Sequence, residues 1–346
     1  MFKFSWRAKL LKKIEQAGLL GRGCGTFPVA KKWAAVLAAP GKEKYVICNI
    51  SESEPGIFKD KFIIENYPEK VIDGILVAMD FLKATRGFIY LNPTYYQVYK
   101  NKLQILIGDN NIELFSKPAH DYIGGEESAL INLMEGQREE PRLRPPYVTT
   151  QGFKNAPTLV NNCETFYAIA LISQDKYQHK KFFCISGDQT PETVLSLPET
   201  TNLQDALAAS GYYPTFSFFV QLGGAMAGEC LRAEQLKNYT IQHASGLVVH
   251  QLDKDEHKLI QHWLNFFAGE SCGKCVTCRE GTYRLREMYA QGNFDQQLFS
   301  DIIFSMQHTA LCSLGSMAVK ALTSYYQNIK KQPLDKISAT VKKCDF

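Results

Sequence analysis

Three cysteines at a strict three-residue period, Cys272, Cys275 and Cys278, constrain this chain more than any other feature of its sequence. Three thiolates at this spacing suit three corners of a [4Fe–4S] cube, which a distant fourth cysteine completes. Cys312 is the natural candidate, because it lies at the start of a predicted helix whose N-terminal amides would stabilise the cluster's negative charge. A structural zinc bound by four cysteines is the alternative. The C-terminal part of the chain is therefore expected to hold a metal centre.

The remaining composition indicates a protein of a reducing compartment. The chain has ten cysteines in 346 residues, and no apolar run reaches signal-peptide or membrane-spanning length. The cysteines are therefore expected to be core thiols or cofactor ligands rather than disulfides. The basic segment 1–19 has apolar side chains along one helical stripe, which predicts an ordinary amphipathic helix. The net charge of +4 is small and interspersed, so we do not expect the protein to bind nucleic acid. Because no apolar run is long enough to span a membrane, we expect a cytoplasmic protein that does not insert directly into a membrane.

A chain of this length exceeds one comfortable core, so several domains are expected. Buried-strand patterns at 44–50 and 86–91 flank a helical pattern that starts after Pro68, which predicts a βαβ unit and an α/β layer. The middle of the chain then has short β-like segments with one helical stretch, and the remainder is helical. The predicted domains are an α/β domain, a small sheet domain and a helical bundle, at 1–178, 179–250 and 251–346.

A glycine-rich stretch near the N-terminus, GLLGRGCGTFPVAKKW (18–33), is a candidate ligand loop. Gly21, Gly23 and Gly25 follow a predicted helix rather than a strand, so this is not the Rossmann dinucleotide turn. With Lys32 close behind, such a loop suits an anionic planar ligand, to which it offers free amides and one cation for a phosphate. A flexible connector is the alternative.

Carboxylates flank tight-turn residues in two further places, ESEPG (52–56) and GGEE (124–127). Such carboxylates are ordinarily solvated, but the flanking turns indicate that they face a cavity. The pair Asn161 and Asn162 precedes the helical pattern ETFYAI and, taken alone, predicts a helix N-cap at Asn162.

Taken in order, these segments resemble the NADH-oxidising flavoprotein of respiratory complex I, known as its F subunit. The same type of flavoprotein occurs in NAD-linked hydrogenases and formate dehydrogenases. The resemblance covers about residues 15–325. The matching blocks are the glycine-rich stretch, CNISESEPGIFKDKF (48–62), YIGGEESAL (122–130), PRLRPPYVTTQGFKNAPTLVNNCETF (141–166) and ESCGKCVTCREGTYRL (270–285).

The resemblance implies an FMN-binding α/β domain, a small ubiquitin-like β-grasp domain and a C-terminal helical bundle that carries the iron–sulfur cluster, within the domain bounds given above. The positions that fall on flavin contacts are Gly21, Gly23, Lys32, Asn49, Tyr122, Glu126, Asn161, Asn162 and Thr165. The positions that fall near the nicotinamide nucleotide are Phe27, Glu54, Glu127, Arg144 and Tyr147. No acid–base residue is assigned, because hydride transfer does not need one.

The resemblance also implies the activity of an NADH dehydrogenase of the NADH:quinone oxidoreductase type. Hydride passes from NADH to FMN, and single electrons then pass to a [4Fe–4S] cluster and to an iron–sulfur partner subunit of a larger complex. Through such a complex the chain would be peripheral to the inner membrane. Four positions depart from the family pattern: Cys24 and Thr26 replace glycines, Ala35 replaces an aromatic ring and Ser51 replaces an aspartate. These departures leave an alternative, a flavin and iron–sulfur relay or structural subunit that no longer oxidises NADH.

Overall fold

The computed structural model describes residues 2–23, 25–292 and 295–332, with side chains from residue 6 onward. These residues form two compact units, each with its own core. The bounds of the three predicted domains stay predictions. The first unit takes in residues up to 53, 58–182 and 196–199, and the second takes in residues 54–57, 183–195 and those from 200 onward.

Four parallel strands form the sheet of the first unit. They are β1 (Tyr45–Ile50), β2 (Arg86–Leu91), β3 (Ile112–Ser116) and β4 (Thr158–Asn162), in the order β3-β2-β1-β4. The chain moves outward from β1 to β3 and then returns to the opposite side of β1, so the strand order reverses between β1 and β4. Open parallel sheets bind ligands beyond the carboxyl ends of their strands at such a switch point.

Seven helices accompany this sheet. The predicted βαβ unit is confirmed, because the helix that links β1 and β2 begins at Pro68, where proline suits the first turn. It packs closely on the helix after β4, since a Cβ at Gly74 would lie 2.0 Å from the carbonyl oxygen of Phe166. The helices are α1 (Phe2–Gln16), α2 (Val29–Ala38), α3 (Lys59–Asn66), α4 (Pro68–Leu82), α5 (Pro93–Ile107), α6 (Glu127–Met134) and α7 (Cys163–Ser173).

A second sheet of five strands follows. Its strands are β5 (Lys180–Gly187), β6 (Thr190–Pro198), β7 (Phe218–Leu222), β8 (Glu229–Arg232) and β9 (Gly246–Gln251), with helix α8 (Leu203–Ala209) between β6 and β7. The order is β6-β5-β9-β7-β8, with β5 parallel to β9 and β7 antiparallel to both β8 and β9. This is the strand order of the ubiquitin-like β-grasp fold that the family resemblance implied.

The C-terminal region is helical, as predicted. None of the described helices is long and apolar enough to cross a bilayer. The helices are α9 (Glu256–Glu270), α10 (Val276–Gln291), α11 (Gln296–Thr309), α12 (Ser313–Met317) and α13 (Lys320–Ser324), followed by a π-helical turn, Tyr325–Lys330.

Candidate functional site

The glycine loop, residues 21–27, connects α1 to α2 and closes on itself. The Gly21 N–H donates to the Phe27 carbonyl at 3.0 Å. A Cβ at Gly21 would lie 2.5 Å from the carbonyl oxygen of Gly25, so only glycine fits there. A Cβ at Gly23 would lie 3.7 Å from the Cβ of Asn162, which brings the loop against the carboxyl end of β4. Cys24 lies outside the described residues.

The side-chain amide of Asn162 forms its hydrogen bonds within the protein. Its Oδ1 caps α7 by accepting from the Glu164 N–H at 3.0 Å, and it accepts from Lys59 Nζ at 2.9 Å. Its Nδ2 donates to the Asn49 carbonyl at 3.2 Å and to Asp60 Oδ2 at 2.6 Å. An amide side chain has two donor hydrogens and two acceptor lone pairs, so all four are used. The predicted N-cap is confirmed, and in this arrangement Asn162 supports the site rather than offering it a hydrogen bond.

Asn161 and Asn49 keep capacity for a ligand. In the orientation that satisfies its neighbours, the Asn161 amide accepts from Trp33 Nε1 and donates to the Val160 carbonyl, at 3.0 Å each. Asn49 Nδ2 donates to the Gly125 carbonyl at 2.9 Å, while its Oδ1 accepts from both the backbone and the hydroxyl of Ser51. Among the described residues this leaves each amide with one donor hydrogen, and Asn161 with one lone pair as well.

Sheet register puts these amides together at the switch point. Asn49 lies opposite Asn162, and Cys48 lies opposite Asn161, at the carboxyl ends of β1 and β4. Gly125 reaches the same place, because a Cβ there would lie 2.9 Å from the Ser51 hydroxyl. The predicted flavin positions on β1, β4 and the GGEE turn are therefore neighbours in the fold.

Glu126 precedes α6 at its N-cap position, and both of its carboxylate oxygens are used within the protein. Its Oε2 accepts from the N–H groups of Ser128 and Ala129, at 2.9 Å and 3.0 Å, which caps the helix. Its Oε1 is bound by the guanidinium of Arg144. The carboxylate therefore holds the entry to α6 in place.

An ion cluster of Lys32, Glu126, Glu127 and Arg144 extends from this point. Glu127 accepts from Lys32 Nζ at 2.6 Å and lies 3.6 Å from Arg144 Nη2. The cluster joins two residues predicted to contact the flavin with two predicted to lie near the nicotinamide nucleotide. Its two cations and two carboxylates balance, so a phosphate at Lys32 has to compete with Glu127 for the ammonium group.

Four more predicted site residues lie in the first unit. They are the aromatic residues Phe27, Tyr122 and Tyr147 and the hydroxyl residue Thr165. The rings of Phe27 and Tyr147 are 58% and 56% exposed, which leaves them free to stack on a planar ligand. Tyr122 lies at the start of the turn that leads to Gly125. Thr165, in the first turn of α7, accepts from the backbone N–H of Arg22 at 3.1 Å.

Glu54 lies in the second unit. Its Oε1 accepts from the N–H groups of Met226 and Ala227, at 2.8 Å and 3.1 Å. A Cβ at Gly224 would lie 2.2 Å from the Glu54 Cγ, so the turn between β7 and β8 closes tightly around this side chain. The contacts give Glu54 a structural role, and its expected place near the nicotinamide nucleotide stays a prediction.

Sequence reasoning missed a set of buried charges behind the amides. Lys59 is buried, bonds to Asp60 and Asn162, and lies 3.4 Å from Glu164 Oε2. Burial lowers the pKa of Lys59, but the charges of Asp60 and Glu164 raise it well above its ordinary value, so the side chain is a cation. A lysine next to an aspartate normally indicates a solvated surface, and nothing in the local pattern marks this pair as buried.

The predicted cluster cysteines occupy helix termini. Cys275 and Cys312 occupy the N-cap positions of α10 and α12 without a side-chain capping bond, and Cys278 is buried one turn after Cys275. A Cβ at Gly315, in the first turn of α12, would lie 3.7 Å from the sulfur of Cys278. The segment that carries Cys312 therefore packs on the thiol of Cys278.

The pKa of Cys278 reflects how close this thiol lies to the other two cysteines of the run. Burial, with the nearby thiols of Cys275 and Cys272, raises the pKa of the Cys278 thiol to about 11, although a hydrogen bond with Ser271 opposes the shift. Within the described ranges, no three metal-binding side chains are close enough to share a single ion. The four-cysteine ligand set thus stays a prediction.

A parallel sheet with polar groups at its switch point, joined to a cysteine-bearing helical region, defines the class of flavoprotein electron-transfer subunits. Comparison with known families agrees. Residues 14–171 match the Nuo51 FMN-binding domain, and residues 258–334 match the NADH-ubiquinone oxidoreductase-F iron-sulfur binding region. These matches confirm the predicted FMN and iron–sulfur domains.

Known proteins of similar sequence or structure align with most of this chain. The chain is 30% identical to the F subunit of NADH-quinone oxidoreductase from Aquifex aeolicus, over 94% of this chain and 84% of that one. It is 28% identical to the alpha subunit of the NAD-reducing hydrogenase HoxS of Cupriavidus necator, over 91% of this chain and 58% of that one. The crystal structure of an NAD⁺-reducing [NiFe]-hydrogenase in the H2-reduced state superposes with a TM-score of 0.86 at 29% identity, over 97% of this chain and 64% of that one. The chain therefore belongs to the family of NADH-quinone oxidoreductase F subunits, and it spans less than two thirds of the hydrogenase chains.

Proposed function

We propose that this chain oxidises NADH with FMN and passes the electrons through a four-cysteine cluster to a partner subunit. The observation that carries the proposal is the convergence of the glycine loop, Asn49, Asn161 and the ion cluster at the sheet switch point. FMN, when bound, accepts a hydride and releases electrons singly.

The residues present fit such a ligand. Glycine at 21 and 23 lets the loop backbone approach a planar group closely, and Lys32 supplies a cation for a phosphate. The spare donors of Asn49 and Asn161 suit the uncharged polar edge of a flavin. Side chains of this set bind and orient, and no proton transfer by them is required.

The nicotinamide nucleotide is proposed to bind through the exposed rings and the acidic residues. Phe27 and Tyr147 offer faces for stacking, and Arg144 offers a cation that Glu126 and Glu127 hold in place. The place of Glu54 near the nucleotide is proposed from the family pattern alone.

Cys272, Cys275, Cys278 and Cys312 are proposed to hold a [4Fe–4S] cluster, which carries single electrons onward. We further propose an α/β domain at 1–178, a β-grasp domain at 179–250 and a helical iron–sulfur domain at 251–346. The relatives are named as subunits, which supports a partner in a larger complex. We propose that this partner is an iron–sulfur protein and that the chain lies on the cytoplasmic side of the membrane that holds the complex.

A relay or structural subunit is the second candidate. Two observations favour it: Ala35 is exposed on α2 without an aromatic ring, and the Ser51 hydroxyl is used internally on Asn49. Both sites belong to the nucleotide side of the family pattern rather than to the flavin or the cysteines.

The deciding experiment is an anaerobic titration of flavin-replete protein with NADH up to millimolar concentration. Oxidation of NADH predicts bleaching of the flavin absorbance and turnover with ferricyanide. Tyr147→Ala should then raise the KM for NADH roughly fivefold, about 1 kcal/mol of stacking, while FMN stays bound. Tyr213→Ala, an exposed tyrosine of the second unit, is the matched control and should change nothing. Flavin that stays oxidised with both NADH and NADPH would establish the relay function instead.

A further inference from the structure

Arg22 lies between two glycines of the glycine loop, yet its side chain is only 3% exposed. Arginine is rarely buried unless it is paired, because its charge is costly to remove from water. One of its N–H groups, at Nε, is buried and finds no acceptor in the described part of the chain. A loop that needed only flexibility would not keep such a side chain inside the protein.

Two partners hold the guanidinium. Arg22 Nη2 donates to the Tyr177 hydroxyl at 2.8 Å and pairs with Glu199 Oε1. Tyr177 in turn donates to the same carboxylate oxygen at 2.6 Å, so the three side chains form a closed triangle. All three residues belong to the first unit.

The backbone of Arg22 is held as well. Its N–H donates to the Thr165 hydroxyl in the first turn of α7, directly after β4. Arg22 is therefore fixed from two directions, by its main chain to α7 and by its side chain to Tyr177 and Glu199. Gly23, the next residue, is the one that approaches Asn162 at the switch point.

Electrostatics make the triangle a firm anchor. Burial lowers the pKa of Arg22, but the charges of Glu164 and Glu199 and the nearby Tyr177 hydroxyl raise it above its ordinary value, so the residue stays charged. The side chain of Glu199 is itself only 14% exposed. Removing one partner of such a pair leaves an uncompensated charge in a poorly solvated place, which the loop must move to relieve.

We infer that Arg22 is a positioning residue for the flavin: through Tyr177 and Glu199 it sets the conformation of the glycine loop at the switch point. The inference rests on the proposed FMN site, and it assigns a role to two residues, Tyr177 and Glu199, that no sequence motif marks. Both contacts are made by Nη2, whose two hydrogens point in fixed directions in the guanidinium plane, whereas a lysine ammonium is a rotating point charge.

The test uses the full chain and three mild variants, Tyr177→Phe, Glu199→Gln and Arg22→Lys. Hydrogen exchange of the peptide spanning residues 18–28 is measured on flavin-free protein, and the dissociation constant for FMN is measured by fluorescence. We expect faster exchange in this peptide alone and a roughly tenfold or larger loss of FMN affinity, the scale of one lost charge-assisted hydrogen bond. Arg86→Lys, in the exposed pair with Glu113 of the same unit, is the matched control and should change neither quantity.

Unchanged exchange at 18–28 and unchanged FMN affinity in Tyr177→Phe and Glu199→Gln would overturn the inference. A uniform rise in exchange across the whole first unit would also overturn it, because it would show a packing role only. If the unmutated protein binds no FMN, the proposed function fails, while the exchange measurement still decides whether Arg22 sets the loop.

Discussion

At the scale of single residues, the candidate site is decided by hydrogen-bond capacity. Asn161 and Asn162 are chemically identical neighbours, but only Asn161 keeps donor and acceptor capacity among the described residues. Asn162 connects α3, α7 and β1 through four bonds. Removal of the Asn161 amide should therefore mainly affect ligand binding, whereas removal of the Asn162 amide should mainly affect stability.

Asn161→Ala should weaken FMN binding by about 1–2 kcal/mol, because it removes a ligand contact, and lower the free energy of unfolding by about 1 kcal/mol, because Trp33 Nε1 loses its acceptor. Asn162→Ala should lower the free energy of unfolding by roughly 2–3 kcal/mol, because it removes a helix cap and leaves Lys59 and Asp60 short of a partner. Fluorescence titration with FMN and denaturant unfolding measure the two effects. Equal losses of stability in both variants would contradict the distinction.

At the scale of elements, carboxylates from preceding segments cap two helices beside the sheet. Glu126 caps α6, and Glu52 accepts from the N–H groups of Asp60 and Lys61 at the start of α3, at 2.9 Å and 3.3 Å. Tyr95 of α5 also donates to Glu52, at 3.0 Å. The first turns of α6 and α3 thus depend on Glu126 and Glu52, two carboxylates that the sequence predicted to face a cavity.

The cap on α3 should make stability depend on pH. Burial and the neighbouring charge of Asp60 raise the pKa of Glu52 to about 7, although Lys59 opposes the shift. Because the folded state holds this proton more tightly than the unfolded state, the contribution to stability is full below about pH 4.5 and is lost as the pH rises to about 7. The loss is roughly 1.4 kcal/mol for each unit of pKa difference.

Denaturant unfolding between pH 4 and 8 measures this contribution. Glu52→Gln should remove the part of the decline between about pH 4.5 and 7, since the amide does not titrate in this range. Glu113→Gln, an exposed carboxylate on β3, is the control and should keep the wild-type slope. Identical pH profiles of Glu52→Gln and the unmutated chain would show that Glu52 does not hold this proton.

At the scale of the whole molecule, the two proposed cofactor sites lie in different units. The flavin residues belong to the first unit, whereas the four cysteines belong to the second, and each unit has its own core. Loss of one cofactor is therefore expected to leave the other site intact.

Cys312→Ser should impair the iron–sulfur cluster as strongly as Cys275→Ser, while both variants retain FMN. Cys230→Ser, a buried thiol that donates to the Ala321 carbonyl, is the control and should keep the iron. Iron and labile sulfide analysis, with flavin release on the same anaerobic sample, measures both contents. An unchanged cluster in Cys312→Ser would show that the fourth ligand is another residue, and zinc without iron would favour the structural alternative.

Much of the fold could be predicted because its signals are local. The strands at 45–50 and 86–91 and helix α4 follow from short hydrophobic periods, and the cysteine run follows from spacing. Glu54 shows the limit of local reasoning. Its motif predicted a nucleotide contact, but its carboxylate is bonded to the turn between β7 and β8 of the second unit.

The sequence by itself determined the family, the two cofactor domains and the order of their elements, because periodicity, spacing and motif order are properties of neighbouring residues. Only the tertiary structure decided which side chains remain available for a ligand. Asn162 is saturated by partners as far as 113 positions away, and Arg22 meets Glu199 across 177 positions. Hydrogen-bond capacity and burial depend on what the fold brings near, so no local pattern could show that Lys59 and Arg22 are buried cations or that Asn161 is the amide left open.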